Sequence, residues 1–463
     1  MATQTYDESI MRSLHPDCPD WERLGPTKRD AAIRAAAVAQ QVAAEERESK
    51  WAGGFNRRTF LKGGLGVGVA ALGAQLVTSR VSYAAADTPT KGTLVVIFLR
   101  GGLDGLSLLV PAGDPNYLKL RRGVGIQSSK LIDINGDTRF GLHPSLAPLK
   151  PLIQKGMVAA VPAVSTPDLS RSHFQAQDCL ERGSTNSLTS GWLDRVLEAS
   201  GTGTTFRSVA VGGMTPRSLM GTSGSIALND LTSISLDVND EDLAVTKNAL
   251  STLYTGIEHP IAKQTTLAIG ALNTIEAIVN SPAATPNVTY PANSNFADAL
   301  QSLATLIKAD AGVRVACIDV GGWDTHTGMG NVDSGDMQRH LGDLAKALAA
   351  FTSDLGDAHL NKTTVVTMSE FGRRVEENAS GGTDHGHGGA VLVIGGGVQG
   401  GVHGTWNGLN TEVLEQGDVP GWNDYRDVLT EVVSTRLDLS TGNLGDVFPN
   451  WKPQKVGVMK ATA

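Results

Sequence analysis

The chain has 463 residues, 41% of them hydrophobic and 19% charged, which allows one large or two ordinary globular domains. A formal net charge of −8 argues against nucleic acid as a partner, because binding to phosphates requires a basic face. The three cysteines (Cys18, Cys179 and Cys317) are far apart and form neither a disulfide framework nor a cysteine-based zinc site.

Residues 1–86 are predicted to be a polar extension followed by an export signal. The pair Arg57–Arg58, followed by Thr-Phe-Leu-Lys, resembles the twin-arginine motif, and the Gly- and Ala-rich segment 63–77 fits the apolar part of such a signal. That segment is too short and too mild for a transmembrane helix. Small residues at Ala84–Ala86 provide a cleavage site. This interpretation implies the twin-arginine translocase as a partner, a periplasmic or secreted mature protein, and no stable membrane span after cleavage.

Apolar and β-branched runs in residues 87–463 predict strands that are buried on both faces, as in a parallel sheet. Helical patterns alternate with them, so we predict an α/β fold with a mainly parallel sheet. The stretch of about 215–310 is interpreted as a helical insertion or cap. The predicted strands are 93–99, 157–161, 206–211, 313–320, 363–368 and 390–394. The predicted helices are 143–154, 240–254, 261–279, 296–309, 336–355 and 425–433, together with one that starts at about residue 172.

Acidic residues and histidines stand next to four of these predicted strands. Chemistry in open α/β sheets collects beyond the carboxyl ends of strands, and carboxylates and imidazoles are ligands for borderline cations such as zinc. We therefore predict a site for one or two divalent ions, with zinc favoured and calcium, magnesium or manganese as alternatives. Asp104 has a second interpretation, as the cap of the helix that follows it. The candidate ligands are Asp104, Asp324, His326, Glu370, His385 and His387.

Ser170, Ser172 and His173 stand at the start of a predicted helix. The amino end of a helix binds anions, and a hydroxyl held there can be activated as a nucleophile by a nearby metal. The segment taken alone favours a simpler role for the serines as helix caps.

Five motifs, FLRGGLDGLS, SRSHFQAQD, GGWDTH, MSEFGR and DHGHGG, resemble the alkaline phosphatase and sulfatase superfamily over about residues 91–455. More closely, they resemble a family of exported bacterial proteins within it, the domain of unknown function 1501 family. The resemblance implies a doubly wound α/β sandwich of the alkaline phosphatase-like type. It also implies two metal ions and a Ser, Thr or modified Cys nucleophile that acts on phosphate or sulfate esters.

The resemblance assigns roles by position to individual residues. Three features depart from the superfamily pattern: Phe371 replaces a ligand histidine, Asp324 and His326 are two residues apart instead of four, and bulky His173 adjoins the serine. A one-metal site, a rearranged two-metal site and a non-catalytic descendant all stay open. The residues matched as metal ligands are Asp104, Asp324, His326, Glu370 and one of His385 or His387. The residue matched as nucleophile is Ser172, with Ser170 as the alternative.

Two functions follow from these patterns. The first is an exported metal-dependent hydrolase of a phosphate or sulfate ester, either a small molecule or borne on a polymer, in which the metal activates Ser172 or a water. Arg100, Arg171 or Arg373 would pair with the anion, because a guanidinium matches phosphate or sulfate in a bidentate way. The second is a binding or scaffold protein that keeps the fold, and with it a structural metal, without catalysis.

Overall fold

The structure is a computed structural model that describes residues 92–212, 214–231, 240–254 and 260–460. The predicted extension and export signal, residues 1–86, lie outside the described residues. No helix within the described ranges is both long and apolar enough to cross a membrane.

Eleven strands are found in the described residues, and nine of them form one sheet. The strands are β1 (Thr93–Leu99), β2 (Leu109–Val110), β3 (Gly141–Leu142), β4 (Val158–Ser165), β5 (Ser208–Val211), β6 (Ile226–Leu228), β7 (Val315–Val320), β8 (Thr363–Met368), β9 (Gly389–Gly395), β10 (Gly401–Val402) and β11 (Asn423–Asp424). The strands β2 and β3 form a separate antiparallel pair outside the large sheet.

The strand order in the large sheet is β10-β4-β9-β8-β1-β7-β5-β6, and β11 also pairs with β4. The central strand β1 runs parallel to both its neighbours, β7 and β8, and all seven of its residues are buried. A strand covered on both faces can carry an apolar side chain at every position, which explains its uninterrupted apolar run. Strand β9 alone is antiparallel to its neighbours β4 and β8 in this sheet. The prediction of a mainly parallel sheet is thus confirmed.

Helices cover both faces of the sheet, as expected for a doubly wound fold. The helices are α1 (Gly105–Leu108), α2 (Tyr117–Leu120), α3 (Lys150–Gln154), α4 (His173–Arg182), α5 (Trp192–Ala199), α6 (Asp240–Tyr254), α7 (Pro260–Val279), α8 (Asn295–Lys308), α9 (Asp336–Leu360), α10 (Tyr425–Leu437) and α11 (Thr441–Val447). On one face, Leu94, Val96 and Phe98 share a core with the helices α5 and α10. The helices α8 and α9 pack on each other and contact β7 and β8.

Two segments differ in detail from the sequence prediction. The predicted helix 143–154 is a 3-10 helix over Pro144–Leu149 followed by the short helix α3. Pro148 and Pro151 lack the N–H that a continuous α-helix requires, which accounts for the difference. The segment of about 215–310 contains α6, α7 and α8, but it also supplies β6, which extends the sheet beside β5.

Candidate metal centre

The loops at one edge of the sheet bring together side chains that are distant in sequence. The segments after β1, β4, β7 and β8 lie at this edge, because those strands run in the same direction. Since β9 runs in the opposite direction, its amino end lies there too. This direction explains why His385 precedes a strand, whereas Asp324 and Glu370 follow one.

Asp324 is the common neighbour in a cluster of histidines. Its Oδ1 lies 3.0 Å from Nε2 of His326 and 3.1 Å from Nε2 of His385. Its Oδ2 lies 3.5 Å from Nε2 of His173. Burial alone would raise the pKa of Asp324, but the three histidines and the charge of Arg373 outweigh it and hold the pKa well below its usual range. The carboxylate is therefore ionised at any physiological pH.

His385 contacts this carboxylate through Nε2 and a backbone carbonyl through Nδ1. Its Nδ1 lies 3.0 Å from the carbonyl oxygen of Arg171, which can only accept, so Nδ1 carries the proton. Burial lowers the pKa of His385, and the positive charges of Arg373 and His173 lower it further. Asp324 acts in the opposite direction, but the pKa stays below its ordinary value. Its Nε2 faces both Oδ1 of Asp324, at 3.1 Å, and Nε2 of His326, at 2.9 Å. A cation or a proton shared by these atoms would stabilise the arrangement.

His173 is held between two carboxylates. Its Nδ1 is 2.7 Å from Oε1 of fully buried Glu370, which also accepts from the amide of Gln177 at 2.9 Å. Its Nε2 is buried, and its 3.5 Å contact with Asp324 is close enough to act electrostatically but too long for a well-formed hydrogen bond. Burial acts to lower the pKa of His173, but the two carboxylates outweigh it and raise the pKa to about 9. The position thus attracts positive charge, which a bound cation would supply in place of the proton.

His326 has the same arrangement at the rim of the cluster. Its Nδ1 lies 3.1 Å from Oδ1 of the more exposed Asp384, and its Nε2 faces Asp324. All three histidines therefore have an acceptor at Nδ1 and direct Nε2 toward Asp324. An acceptor at the second ring nitrogen is the usual way in which proteins orient a histidine that binds a metal.

The arrangement fits a divalent cation. The ligand atoms of His173, Asp324 and His385 all lie within 4.8 Å of one another. Two imidazoles and one carboxylate are a donor set that catalytic zinc uses, with one position left for water or substrate. His326 is close enough to act as a fourth ligand or to contact a bound water.

Arg373 fixes the loops that carry this cluster. Its guanidinium is buried and donates to the carbonyl oxygens of Gly101 at 2.5 Å, Gly102 at 2.6 Å and Thr383 at 2.8 Å. It also donates to Oδ1 of Asp324 at 2.5 Å. One side chain therefore joins the loops that follow β1, β7 and β8, and it holds the carboxylate at the centre of the cluster.

Gly101 and Phe371 both contribute to the close packing at this edge of the sheet. Gly101 has a φ of 124°, and a Cβ there would lie 2.5 Å from the backbone nitrogen of Asp324. The ring of Phe371 packs on His173 and His385, with ring centroids 4.9 Å and 4.8 Å apart. Phe371 thus forms an apolar side of the cluster at the position where the superfamily pattern has a ligand.

Asp104 has other partners. Its Oδ1 accepts from Arg121 Nη1 and from the backbone N–H of Ser107, both at 2.8 Å, and its Oδ2 accepts from Thr383 at 3.1 Å. Asp104 is fully buried and caps α1. Burial alone would raise its pKa, but Arg121 and these hydrogen bonds leave the pKa below its ordinary value. The structure places it in a buried ion pair and not in the metal cluster.

The remaining predicted residues take separate positions. His387 contacts the carbonyl of Thr166 through Nε2 at 3.1 Å. Ser172 directly precedes α4 and makes no capping bond with its side chain, whereas the hydroxyl of Ser170 donates to Asp168 at 2.5 Å. Arg100 pairs with Glu181 and Asp319, at 3.0 and 2.9 Å respectively.

Two contributors were not predicted as functional residues. The sequence placed His173 at the start of a predicted helix and beside Ser172, but no pattern there indicated that it could bind a metal. Arg121, the partner of Asp104, lies in the short stretch around α2, where no sequence pattern indicated a buried charge.

The fold and this cluster define an α/β protein with a candidate metal centre at the edge where its parallel strands end. The chain belongs to the family described as Protein of unknown function (DUF1501), which matches residues 138–420. This match confirms the predicted family, and its range includes four of the five motifs, all except FLRGGLDGLS.

Comparison with curated proteins finds no match. Several solved structures show low similarity. PsFucS1 sulfatase from Pseudoalteromonas sp. is 14% identical, with a TM-score of 0.31 over 82% of this chain and 72% of that chain. An alkaline phosphatase from the Antarctic bacterium TAB5 is 9% identical, with a TM-score of 0.28 over 66% and 92%. An alkaline phosphatase from Thermus thermophilus is 13% identical, with a TM-score of 0.23 over 62% and 61%.

Proposed function

We propose that the protein is a divalent-metal-dependent hydrolase of phosphate or sulfate esters, with His173, Asp324 and His385 as ligands. The observation that carries the proposal is the geometry of His385. Its Nδ1–H is committed to a backbone carbonyl, and its Nε2 faces an ionised carboxylate oxygen at 3.1 Å. A bound cation would take both atoms as ligands, and Nε2 of His173 lies close enough to complete the set.

Zinc is the favoured ion, because two imidazoles and a carboxylate match its preferred catalytic ligands, with magnesium, manganese or calcium as alternatives. A bound divalent ion would lower the pKa of a water or hydroxyl and stabilise charge on the non-bridging oxygens of the ester. In this proposal, Glu370 orients His173 and the carbonyl of Arg171 orients His385.

Ser172 is the proposed nucleophile, with a bound water as the alternative. It directly precedes His173, and its hydroxyl makes no capping bond. Ser170 is less suitable, because its hydroxyl is committed to Asp168. The amino end of the ten-residue helix α4 adds a favourable potential for an anion at this position.

One observation favours the alternative function, a binding or scaffold protein with a structural metal. Each arginine that was predicted to pair with the anion already contacts a carboxylate: Arg100 contacts Glu181, Arg171 contacts Asp418, and Arg373 contacts Asp324. In the hydrolase proposal, the metal and the helix end neutralise the ester in place of a free guanidinium.

Metal analysis of the purified protein, combined with a screen of aryl phosphate and aryl sulfate esters, tests the hydrolase proposal. We expect at least one divalent ion per chain and turnover of one ester class. Ser172→Ala should lower kcat by about 1000-fold or more, as expected for loss of a nucleophile. Ser170→Ala is the matched comparison and should keep most of the activity.

Three results would change this interpretation. A protein without bound metal that also fails to bind added zinc would remove the proposed centre. Metal without turnover of any ester would favour the binding or scaffold protein. Equal turnover by wild type and Ser172→Ala would leave the bound water as the nucleophile.

We also propose that the protein is exported by the twin-arginine pathway to the periplasm or beyond. The support is the sequence around Arg57–Arg58 and the small residues at Ala84–Ala86. A fusion of residues 1–90 to a reporter should be exported, and the double variant Arg57→Lys, Arg58→Lys should retain the reporter in the cytoplasm. Unchanged export of the double variant would exclude this pathway.

A further inference from the structure

The carboxylate that orients His173 has a second partner on the same helix. Oε1 of Glu370 lies 2.7 Å from Nδ1 of His173 and accepts from Nε2 of Gln177 at 2.9 Å. Residues four apart on an α-helix lie on the same face, so both side chains can reach one oxygen. The backbone N–H of Gly101 donates to the same oxygen at 2.9 Å. Because Glu370 is fully buried, protein groups must supply the partners of its charge.

Arg100 fixes the orientation of the Gln177 amide. Its Nη1 donates to Oε1 of Gln177 at 3.0 Å. A guanidinium can only donate, so the amide oxygen must face Arg100 and the amide nitrogen must face Glu370. In the reverse orientation, the amide nitrogen would face the guanidinium, the amide oxygen would face the carboxylate, and both hydrogen bonds would be lost. The amide therefore has one favourable orientation between these two charged groups.

Arg100 is itself held at several points. Its Nη1 lies 3.0 Å from Oε1 of buried Glu181, and its Nη2 lies 2.9 Å from Oδ2 of Asp319. Its Cζ lies 4.0 Å from the centroid of the Phe98 ring. Phe98 and Asp319 belong to β1 and β7, whereas Glu181 belongs to α4. The guanidinium is therefore anchored on two neighbouring strands of the sheet as well as on the helix.

These contacts form a continuous series from the sheet to the proposed ligand set. Arg100 contacts Gln177, which contacts Glu370. Glu370 in turn contacts Nδ1 of His173, and Nε2 of that ring is directed at Asp324, 3.5 Å away. An acceptor at one ring nitrogen sets the direction in which a histidine presents the other to a metal, and hydrogen bonds to the acceptor hold it in place.

We infer that Gln177 is a positioning residue for the proposed metal centre, and that Arg100 acts on the centre through Gln177. The inference rests on the proposed function, since its target is the proposed ligand His173. Neither side chain binds the ion or the ester. They hold Glu370, so that Nε2 of His173 keeps the direction that a cation requires. Arg100, which the sequence predicted as a partner of the anion, thus acts on the protein and not on the ester.

Zinc affinity of the full chain, measured by competition with a chelator, tests the role of Gln177. Gln177→Met keeps a side chain of similar length but removes both hydrogen bonds. It should weaken zinc binding by about 10-fold, the lower end of the range for residues that orient ligands. The d–d absorption of the cobalt(II)-loaded protein should change as well, because it reports the arrangement of the ligands. Gln175→Met is the matched control, since Gln175 is exposed on the same helix, and it should leave both measurements as in wild type.

A double-mutant cycle tests whether Arg100 acts through Gln177. Arg100→Met should weaken zinc binding less than Gln177→Met does, because the amide then loses one partner and keeps the other. In the Gln177→Met background, the same change should have no further effect on zinc affinity. Arg100→Lys replaces Arg100→Met in the cycle if the latter does not fold. An equal loss in both backgrounds would show that Arg100 acts independently of Gln177.

The outcomes separate this inference from the proposed function. Unchanged zinc affinity in Gln177→Met would overturn the inference and leave the metal centre intact. Equal losses in Gln177→Met and Gln175→Met would do the same, because they would reflect a general effect on α4. A loss of affinity with an unchanged cobalt spectrum would contradict a positioning role. If the wild-type chain binds neither zinc nor cobalt, the proposed function fails and the inference fails with it.

Discussion

Replacement of Arg373 by alanine is expected to destabilise the protein by about 3–5 kcal/mol, because each buried acceptor left without its donor costs about 1–3 kcal/mol. The substitution would leave the carbonyl oxygens of Gly101, Gly102 and Thr383 without their donor and Asp324 without its closest cation. Affinity for zinc should also fall by about 10- to 100-fold, as it does when the residues that orient metal ligands are removed. Chemical denaturation and zinc titration of the same preparation measure both effects.

The neighbouring Arg374 provides a matched control. Its side chain is 38% exposed and pairs with Asp418 at 3.3 Å, so Arg374→Ala should cost no more than about 1 kcal/mol. Arg373→Lys keeps the charge but lacks the planar fork that reaches several acceptors, and it should fall between wild type and Arg373→Ala. Equal stability and equal zinc affinity for the two alanine variants would contradict the positioning role of Arg373.

His173→Ala should weaken zinc binding by more than about 100-fold, because even the removal of residues that only orient ligands costs 10- to 100-fold. Asp104→Asn is the informative comparison, since both residues lie in loops at the same edge of the sheet. Asp104 is already neutralised by Arg121, so this variant should keep the zinc affinity of wild type. It should nevertheless lose about 3–5 kcal/mol of stability, because fully buried Arg121 loses its charged partner.

Zinc titration followed by a competing chelator distinguishes the two variants. A large loss of affinity in Asp104→Asn would show that Asp104 reaches the ion after all, as the motif resemblance implies. Unchanged affinity in His173→Ala would remove His173 from the ligand set. In that case, His326, whose Nε2 lies 2.9 Å from that of His385, would be the next candidate.

The sheet could be predicted from local sequence because its strands are buried on both faces. Runs such as 93–99 and 363–368 have no polar interruption, and the structure has strands with the same bounds. Their direction could not be predicted in the same way. Nothing in the run 390–394 indicates that β9 is antiparallel, since direction depends on pairing with β4 and β8 far away in the chain.

The candidate site shows a similar division. Asp324, His326 and His385 are short-range patterns beside strands, and the structure brings them together. The partners of Asp104 were not predictable, because a carboxylate followed by a helix has the same local sequence whether it holds a metal or an arginine. Burial decides the difference, and it depends on Arg121 and Thr383 reaching Asp104 in the folded chain.

No contiguous stretch of the chain contains the proposed centre. His385 is 61 residues from Asp324, and His173 is 197 residues from Glu370, which orients it. These contacts can form only after strands from both halves of the chain have paired, and pairing across such separations is slow. Metal uptake would then follow folding, so the rate of zinc incorporation during refolding should become independent of zinc concentration once zinc is in excess. The ion would thus report how many chains have completed folding.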